Sequence, residues 1–257
     1  INPVILLPDS LSRDSAKTAS MLAASITLGV GQFCTNPGLI IAIENEALQN
    51  FISVLSIEIQ KALPGTMLHQ GIADNYAKRL AIALEQKGVK VEAQSITRGD
   101  TTQGAPFIAS VSADAFLKNS TLSEEVFGPF SLIIKCKDIN ELYAVVVKGH
   151  GQLTSTLIGD ETEIAKHKAL LNVLVEKAGR LVINGVPTGV EVCPAQMHGG
   201  PYPATTDSRF TAVGADAIKR FARPVAFQNF PEALLPDELI TENPLGIWRM
   251  VNGEFKK

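Results

Sequence analysis

Short apolar runs alternating with longer amphipathic segments constrain the fold of this chain most. Val4-Ile5-Leu6-Leu7 and Leu39-Ile40-Ile41-Ala42-Ile43 are apolar throughout, and runs this short read as buried strands. Between them, Asp14 to Val30 is rich in Ala, Ser and Leu and carries Ala19, Leu22, Ala23 and Ile26 at helical spacing, after a turn at Pro8-Asp9-Ser10. Ala47 to Ala62 lines up Leu48, Phe51, Ile52, Leu55 and Ile59 on one helical face and stops at Pro64-Gly65. A further helix is predicted over Ile72 to Lys87, closed by Gly88. Strands are predicted at 89–93, 107–111, 130–134, 153–158 and 181–184. Asp138 can cap a helix reaching Lys148, and Thr162 to Ala178 reads as another, with Gly179 as its stop. Strands and helices in alternation predict an α/β domain: a largely parallel sheet flanked by helices. Beyond Gly185 the pattern breaks into a long Pro- and Gly-rich loop, a short helix at 216–221, a late strand at Pro224 to Gln228 and an irregular C-terminal tail.

Composition narrows the class. Of 257 residues, 46% are hydrophobic and 19% charged, enough for a sizeable core and too apolar for a disordered chain. A net charge of −3 provides no basic field for nucleic acid, and no apolar run reaches membrane-spanning length. The start, Ile1-Asn2-Pro3, lacks the basic flank and apolar stretch of a signal peptide. Because it is not a methionine, Ile1 suggests a piece of a longer chain. Cys34, Cys136 and Cys193 form no C-x-x-C arrangement, so neither a zinc site nor a disulfide framework is expected, and a reducing, cytoplasmic setting is the simplest reading. Asn119-Ser120-Thr121 matches a glycosylation sequon by chance on that reading.

Two motifs carry chemistry. Gly31-Gln32-Phe33-Cys34-Thr35-Asn36-Pro37-Gly38 places a lone thiol in a tight connection between a helix and a strand, where loops on rigid scaffolds do chemistry. A free cysteine elsewhere usually behaves as a small buried hydrophobe, and a reactive one needs its thiolate favoured or a base nearby. Glu124-Glu125-Val126-Phe127-Gly128-Pro129 places two acids and an aromatic before the strand at Phe130. A carboxylate can accept both hydroxyl hydrogen bonds of a ribose; the plainer reading is two solvated acids and a core aromatic.

Both motifs, in this order, resemble the signatures of the aldehyde dehydrogenase superfamily. The Asn-Pro-Gly after the cysteine looks most like the branch that oxidises 2-oxoglutarate semialdehyde. Further stretches resemble the C-terminal part of that branch: Pro187 to Val192, His198 to Pro203, Arg209-Phe210-Thr211 and Arg220 to Pro224. The resemblance covers essentially the whole chain and implies the family's catalytic-domain fold. It implies that Cys34 is the nucleophile and that Glu125 and Phe127 hold the nicotinamide-ribose end of NAD or NADP. It also implies that the cofactor-binding domain, the general-base glutamate and the oxyanion-hole asparagine lie before Ile1. Arg209, Arg220 and Arg223 are candidates for a substrate carboxylate, since guanidinium binds carboxylate bidentately; salt-bridge or surface duty is the plainer role for each. The expected organisation is a catalytic, nucleophile-bearing domain over 1–222 and a late strand and tail over 223–257 that packs or oligomerises.

The expected activity is oxidation of a small carboxylated aldehyde through a cysteine thiohemiacetal and thioester. The chain alone is expected to be inactive. Its partners are a small-molecule aldehyde and, in the full-length enzyme, further copies of itself, with no nucleic acid or membrane. Two other readings stay open: a non-catalytic α/β interaction module, and a Cys-His hydrolase, which requires His198 or another histidine beside Cys34.

Overall fold

Period-two alternation splits the central strands between two cores. In β1 (Pro3–Leu6), Val4 and Leu6 face one side of the sheet while Ile5 and the following Leu7 face the other. In β2 (Leu39–Ile43), Ile40 and Ala42 share the first side and Leu39 and Ile41 the second. Strands apolar on both faces need helices above and below, and the chain supplies them.

The computed structural model describes residues 1–186 and 189–257, and the chain divides into two units, Ile1–Arg220 and Phe221–Lys257. In the first unit, α1 (Pro8–Thr27) and α2 (Glu46–Lys61) cover one face. Leu22 and Ile26 of α1 and Phe51, Leu55 and Ile59 of α2 are fully buried there; truncating a residue such as Phe51 to alanine should cost about 3–5 kcal/mol. β3 (Gly65–Thr66) leads to α3 (Gln70–Leu84), β4 (Lys90–Gln94), β5 (Gln103–Gly104), β6 (Phe107–Ser112) and α4 (Ala113–Lys118). β7 (Phe130–Cys136), α5 (Ile139–Lys148), β8 (Gln152–Ile158), α6 (Glu161–Lys166), α7 (Lys168–Lys177) and β9 (Ala178–Ile183) complete the unit's regular structure. Side chains of α3, α4, α5 and α7 cover the second face.

Seven strands make the main sheet, in the order β4-β6-β7-β2-β1-β8-β9, and every pair is parallel except β4 with β6. The predicted parallel α/β sheet is thus present, with one antiparallel edge. Local chemistry marks the helix starts: Asn45, Asp138 and Asp160 each accept from a backbone N–H three residues on.

Some boundaries differ from expectation. The first helix begins at Pro8, not after a turn at Pro8 to Ser10, because proline is favoured in a first helical turn; non-helical Asp14 kinks it, and it ends at Thr27. The segment 162–178 is two helices broken at His167 (φ −116°, ψ 38°). Gly179 lies inside β9, where Gly199 and Gly200 press on it, and does not stop a helix.

In the second unit, β10 (Arg249–Val251) and β11 (Glu254–Lys256) form an antiparallel hairpin. Residues 224–228 are not a strand but irregular backbone. A strand is defined by its ladder, and among the described residues this stretch has no ladder partner.

Candidate active site

The cysteine motif and the Glu-Glu motif meet at the amino ends of the parallel strands. Cys34 precedes β2, and Glu125 and Phe127 precede β7, β2's neighbour in the sheet. Their loops touch through glycine. A Cβ on Gly31 would lie 2.3 Å from the Gly128 carbonyl, so only glycine lets the two backbones approach this closely, and Gly31 also has φ +65°. Asn36 Nδ2 donates to the same carbonyl at 3.1 Å. Gln32, two before the cysteine, ties its loop to the far side: its Oε1 accepts from Leu68 N–H at 2.8 Å and its Nε2 donates to Gly29 O at 3.0 Å.

Held this way, Cys34 is exposed. It shares a cleft of about 460 Å³ with Glu125, Phe127, Arg79 and His150. The other two thiols differ: Cys193 is exposed outside this cleft, and Cys136 is buried, which pushes its thiol up to about 12. The adjacent acids also part company. Glu124 pairs with Arg79 at 2.7 Å, whereas Glu125, about half exposed in the cleft, makes no side-chain hydrogen bond among the described residues and faces only the Ile1 α-amino group at 3.7 Å. Of the two, Glu125 is the less committed: no side-chain hydrogen bond among the described residues holds it, and its second carboxylate oxygen is unpaired there.

The structure adds a residue that sequence reasoning ranked low. His198 Nε2 lies 3.5 Å from Cys34 Sγ. The imidazole is held below its ordinary pKa, first by burial and then by the charge of Arg180. Histidine before Gly-Gly was the only sequence signal, and it does not report a contact across 164 positions.

Of the candidate arginines within the first unit, neither Arg209 nor Arg220 lines the cleft. Arg209 is committed to Asp207 through two hydrogen bonds of 2.9 and 2.6 Å and stacks on Phe210. Arg220 is half-buried at the end of the first unit and outside the cleft lining; Arg223, in the second unit, is exposed there. Pro187 and Thr188, at the head of one resembling stretch, lie outside the described residues. Among the described residues no three metal-ligating side chains cluster, and no helix is long and apolar enough to cross a membrane.

Known proteins give this geometry its context. The chain is 46% identical over 254 residues to an alpha-ketoglutaric semialdehyde dehydrogenase 2 of Azospirillum brasilense, across 99% of this chain and 48% of that protein. It is 44% identical to the alpha-ketoglutaric semialdehyde dehydrogenase of Acinetobacter baylyi, across 98% of this chain and 48% of the relative. The chain thus spans about half the length of these curated relatives. Among solved structures it shares its fold with proline utilization A of Bdellovibrio bacteriovorus (TM-score 0.69, 21% identity, 86% of this chain and 22% of that one). It also shares it with the NADP complex of glyceraldehyde-3-phosphate dehydrogenase GapN from Methanocaldococcus jannaschii (TM-score 0.63, 23% identity, 78% and 42%). The sequence profile of the aldehyde dehydrogenase family matches residues 1–218, which contain both motifs and the whole main sheet, and the chain belongs to that family.

Proposed function

We propose that this chain is the cysteine-bearing part of a nicotinamide-dependent dehydrogenase that oxidises a small carboxylated aldehyde of the 2-oxoglutarate semialdehyde type. The observation that carries this reading is one cleft holding an exposed thiol, Cys34, beside a half-exposed carboxylate, Glu125, whose only ion-pair partner among the described residues is the Ile1 α-amino group. The relatives named for the semialdehyde support the substrate class. The NADP complex of a protein with the same fold supports the cofactor class.

The residues fit that cofactor. Glu125 offers two acceptor oxygens to the paired hydroxyls of a ribose, and Phe127 offers an apolar surface to the adjoining ring. When bound, NAD or NADP supplies the hydride acceptor. The chain's own work is done at Cys34. Its sulfur forms a bond to the aldehyde carbon, and the carbonyl electron pair moves onto oxygen. After oxidation the resulting thioester is cleaved by water, which returns Cys34 as a thiol and releases the acid. Leu68 and Ile96 are 79% and 80% exposed, and Leu68 borders the cysteine loop; apolar surface of this kind suits contact with a further domain or subunit.

The test is NAD(P)H formation from 2-oxoglutarate semialdehyde, in this chain alone and in a full-length protein containing it. The full-length protein is expected to turn over and its C34S variant to be inactive, and the isolated chain is expected to make no NAD(P)H. A full-length C34S variant with retained turnover would overturn the reading.

The closeness of His198 to Cys34 also satisfies the geometry required of a Cys-His hydrolase. Glu125 favours the dehydrogenase reading, since ester hydrolysis gives that carboxylate no task in the cleft.

A further inference from the structure

We propose that Arg180, with Thr154 beside it, holds the carboxylate of the aldehyde that Cys34 attacks. This rests on the reading above of a carboxylated aldehyde, and it names the groups that would select one.

The two residues are cross-strand neighbours. In the parallel pair of β8 and β9, Thr154 stands opposite Arg180, so both side chains leave the same face of the sheet. Thr154 is fully buried, yet its hydroxyl has no hydrogen-bond partner among the described residues. Arg180 donates through Nη1 to Gly189 O at 2.8 Å, while its Nε and Nη2 are buried and also lack partners among the described residues. The one other buried side-chain nitrogen or oxygen left so among those residues is Asn36 Oδ1. Buried polar atoms are costly to leave unanswered, and charged ones most of all. Three such atoms side by side on adjacent strands therefore point to a ligand.

The chemistry of the ligand follows from which nitrogens are left over. Nε and Nη2 form the side edge of the guanidinium, whose two parallel N–H bonds match the two oxygens of a carboxylate. Arg209 shows that edge in use: its Nε and Nη2 donate to the two carboxylate oxygens of Asp207 at 2.9 and 2.6 Å. For Arg180 no carboxylate plays that part among the described residues. The Thr154 hydroxyl adds a donor on the same face, so a carboxylate bound there would answer all three atoms.

The place suits a substrate of Cys34. Gln152 and Leu153, the two residues before Thr154, line the cleft that holds the thiol. His198 relates the two groups: its Nε2 lies 3.5 Å from Cys34 Sγ, and the Arg180 charge reaches its imidazole, adding to the effect of burial. In an extended five-carbon aldehyde acid the carboxylate carbon lies about 5 Å from the aldehyde carbon, so its anchor belongs within a side chain's length of the thiol. An uncharged aldehyde would leave the guanidinium buried and unanswered, and a site of that kind discriminates strongly.

The experiment compares kcat/KM for 2-oxoglutarate semialdehyde with kcat/KM for pentanal, an uncharged aldehyde of equal carbon number, in a full-length protein containing this chain. The ratio of the two should fall about a hundredfold in R180Q, about tenfold in R180K, which keeps the charge without the fork, and about threefold in T154V. A ratio within about twofold of wild type in both Arg180 variants would overturn the proposal. A carboxylate from the remainder of the full-length protein is the other source of a partner for Arg180. It predicts an unchanged ratio and a lower melting temperature in R180Q, and that result also overturns the proposal. A second measurement needs no turnover. In the folded chain at matched ionic strength, glutarate should slow alkylation of Cys34 by iodoacetamide, mapped by mass spectrometry, and R180Q should need about tenfold more glutarate for the same protection. No protection in the wild type, or equal protection in R180Q, overturns the proposal. Turnover and its loss in C34S test the dehydrogenase reading, whereas the ratio and the protection test the anchor, so the two failures are distinguishable.

Discussion

The two ends of the parallel sheet offer clefts of similar size and finish them in opposite ways. Open α/β sheets usually bind ligands outside the carboxyl ends of their strands, where neighbouring connections leave in opposite directions. Here that point lies between β1, whose helix α1 leads to β2, and β8, whose helices α6 and α7 lead to β9. A crevice of about 510 Å³ sits there, lined by Ser10, Arg13, Lys17, Asp160 and Asn184. The chain fills its polar demands itself. Glu163 is 2% exposed, and its carboxylate accepts from Asp9 N–H at 2.6 Å, Ser10 N–H at 3.0 Å and Ser10 Oγ at 2.7 Å, capping the start of α1. Asp160 pairs with Arg13, and Asn184 closes both backbone groups of Gly159.

At the amino ends of the same sheet the finish is the reverse. Glu125, faced only by the Ile1 α-amino group, and Cys34 stand in a cleft of about 460 Å³, and among the described residues Arg180 keeps two nitrogens without partners. On the proposed function the ligand enters the cleft of about 460 Å³ and not the slightly larger crevice of about 510 Å³. What separates a structural end from a working end is whether the chain's own groups answer its donors and acceptors.

The contrast can be broken by substitution, and the largest effect is expected at the working end. In a full-length protein containing this chain, C34S should lower aldehyde turnover by about a thousandfold or more, since it removes the nucleophile. The melting temperature should hardly change, because Cys34 is exposed. E163A should do the opposite: it strands two first-turn amides and a hydroxyl, at about 3 kcal/mol by denaturant titration, and leaves cofactor binding intact. A loss of cofactor affinity in E163A would merge the two ends.

E125Q keeps the shape but weakens the acceptor, and should raise the KM for the nicotinamide cofactor about tenfold, or about 1.4 kcal/mol, with a smaller change in kcat. D160N sharpens the structural side through pH. The Thr162 hydroxyl first, with the Glu163 N–H and Arg13, holds the Asp160 carboxyl far below the usual carboxylate range. Its stabilisation is therefore complete above the unfolded carboxylate pKa, about 4, and is lost as pH falls toward the folded value. The gap in melting temperature between wild type and D160N should be widest at neutral pH and narrow steadily below about pH 4. R209Q should be the mildest, within about twofold in KM for a carboxylated aldehyde, because Asp207 already occupies that guanidinium. A tenfold rise would return Arg209 to the substrate site.

Much of the fold was legible because its signals are local. The apolar runs of β1 and β2 and the one-sided pattern of α2 report burial directly, and the structure places them as expected. The Asn252-Gly253 pair was legible too but unread: both residues have positive φ, as a two-residue hairpin turn requires, and they join β10 to β11. The stretch at 224–228 misled because an apolar, extended composition does not name a pairing partner. At the site, the two motifs were visible as motifs. The arginines were not separable by sequence, since any of them can bind a carboxylate and only Arg209's neighbour shows that it already does.

The sequence by itself determined the layered α/β architecture, the cysteine loop and the acid-aromatic motif, because each is written in residues close together along the chain. Tertiary structure alone decided that Arg79 pairs with Glu124 and not with Glu125 in the cleft both line, that β4 runs antiparallel at its edge, and that His198 reaches Cys34. Those outcomes depend on which distant groups are brought within hydrogen-bonding range. Periodicity reports which face of an element is buried, but not which polar partner waits on the other side.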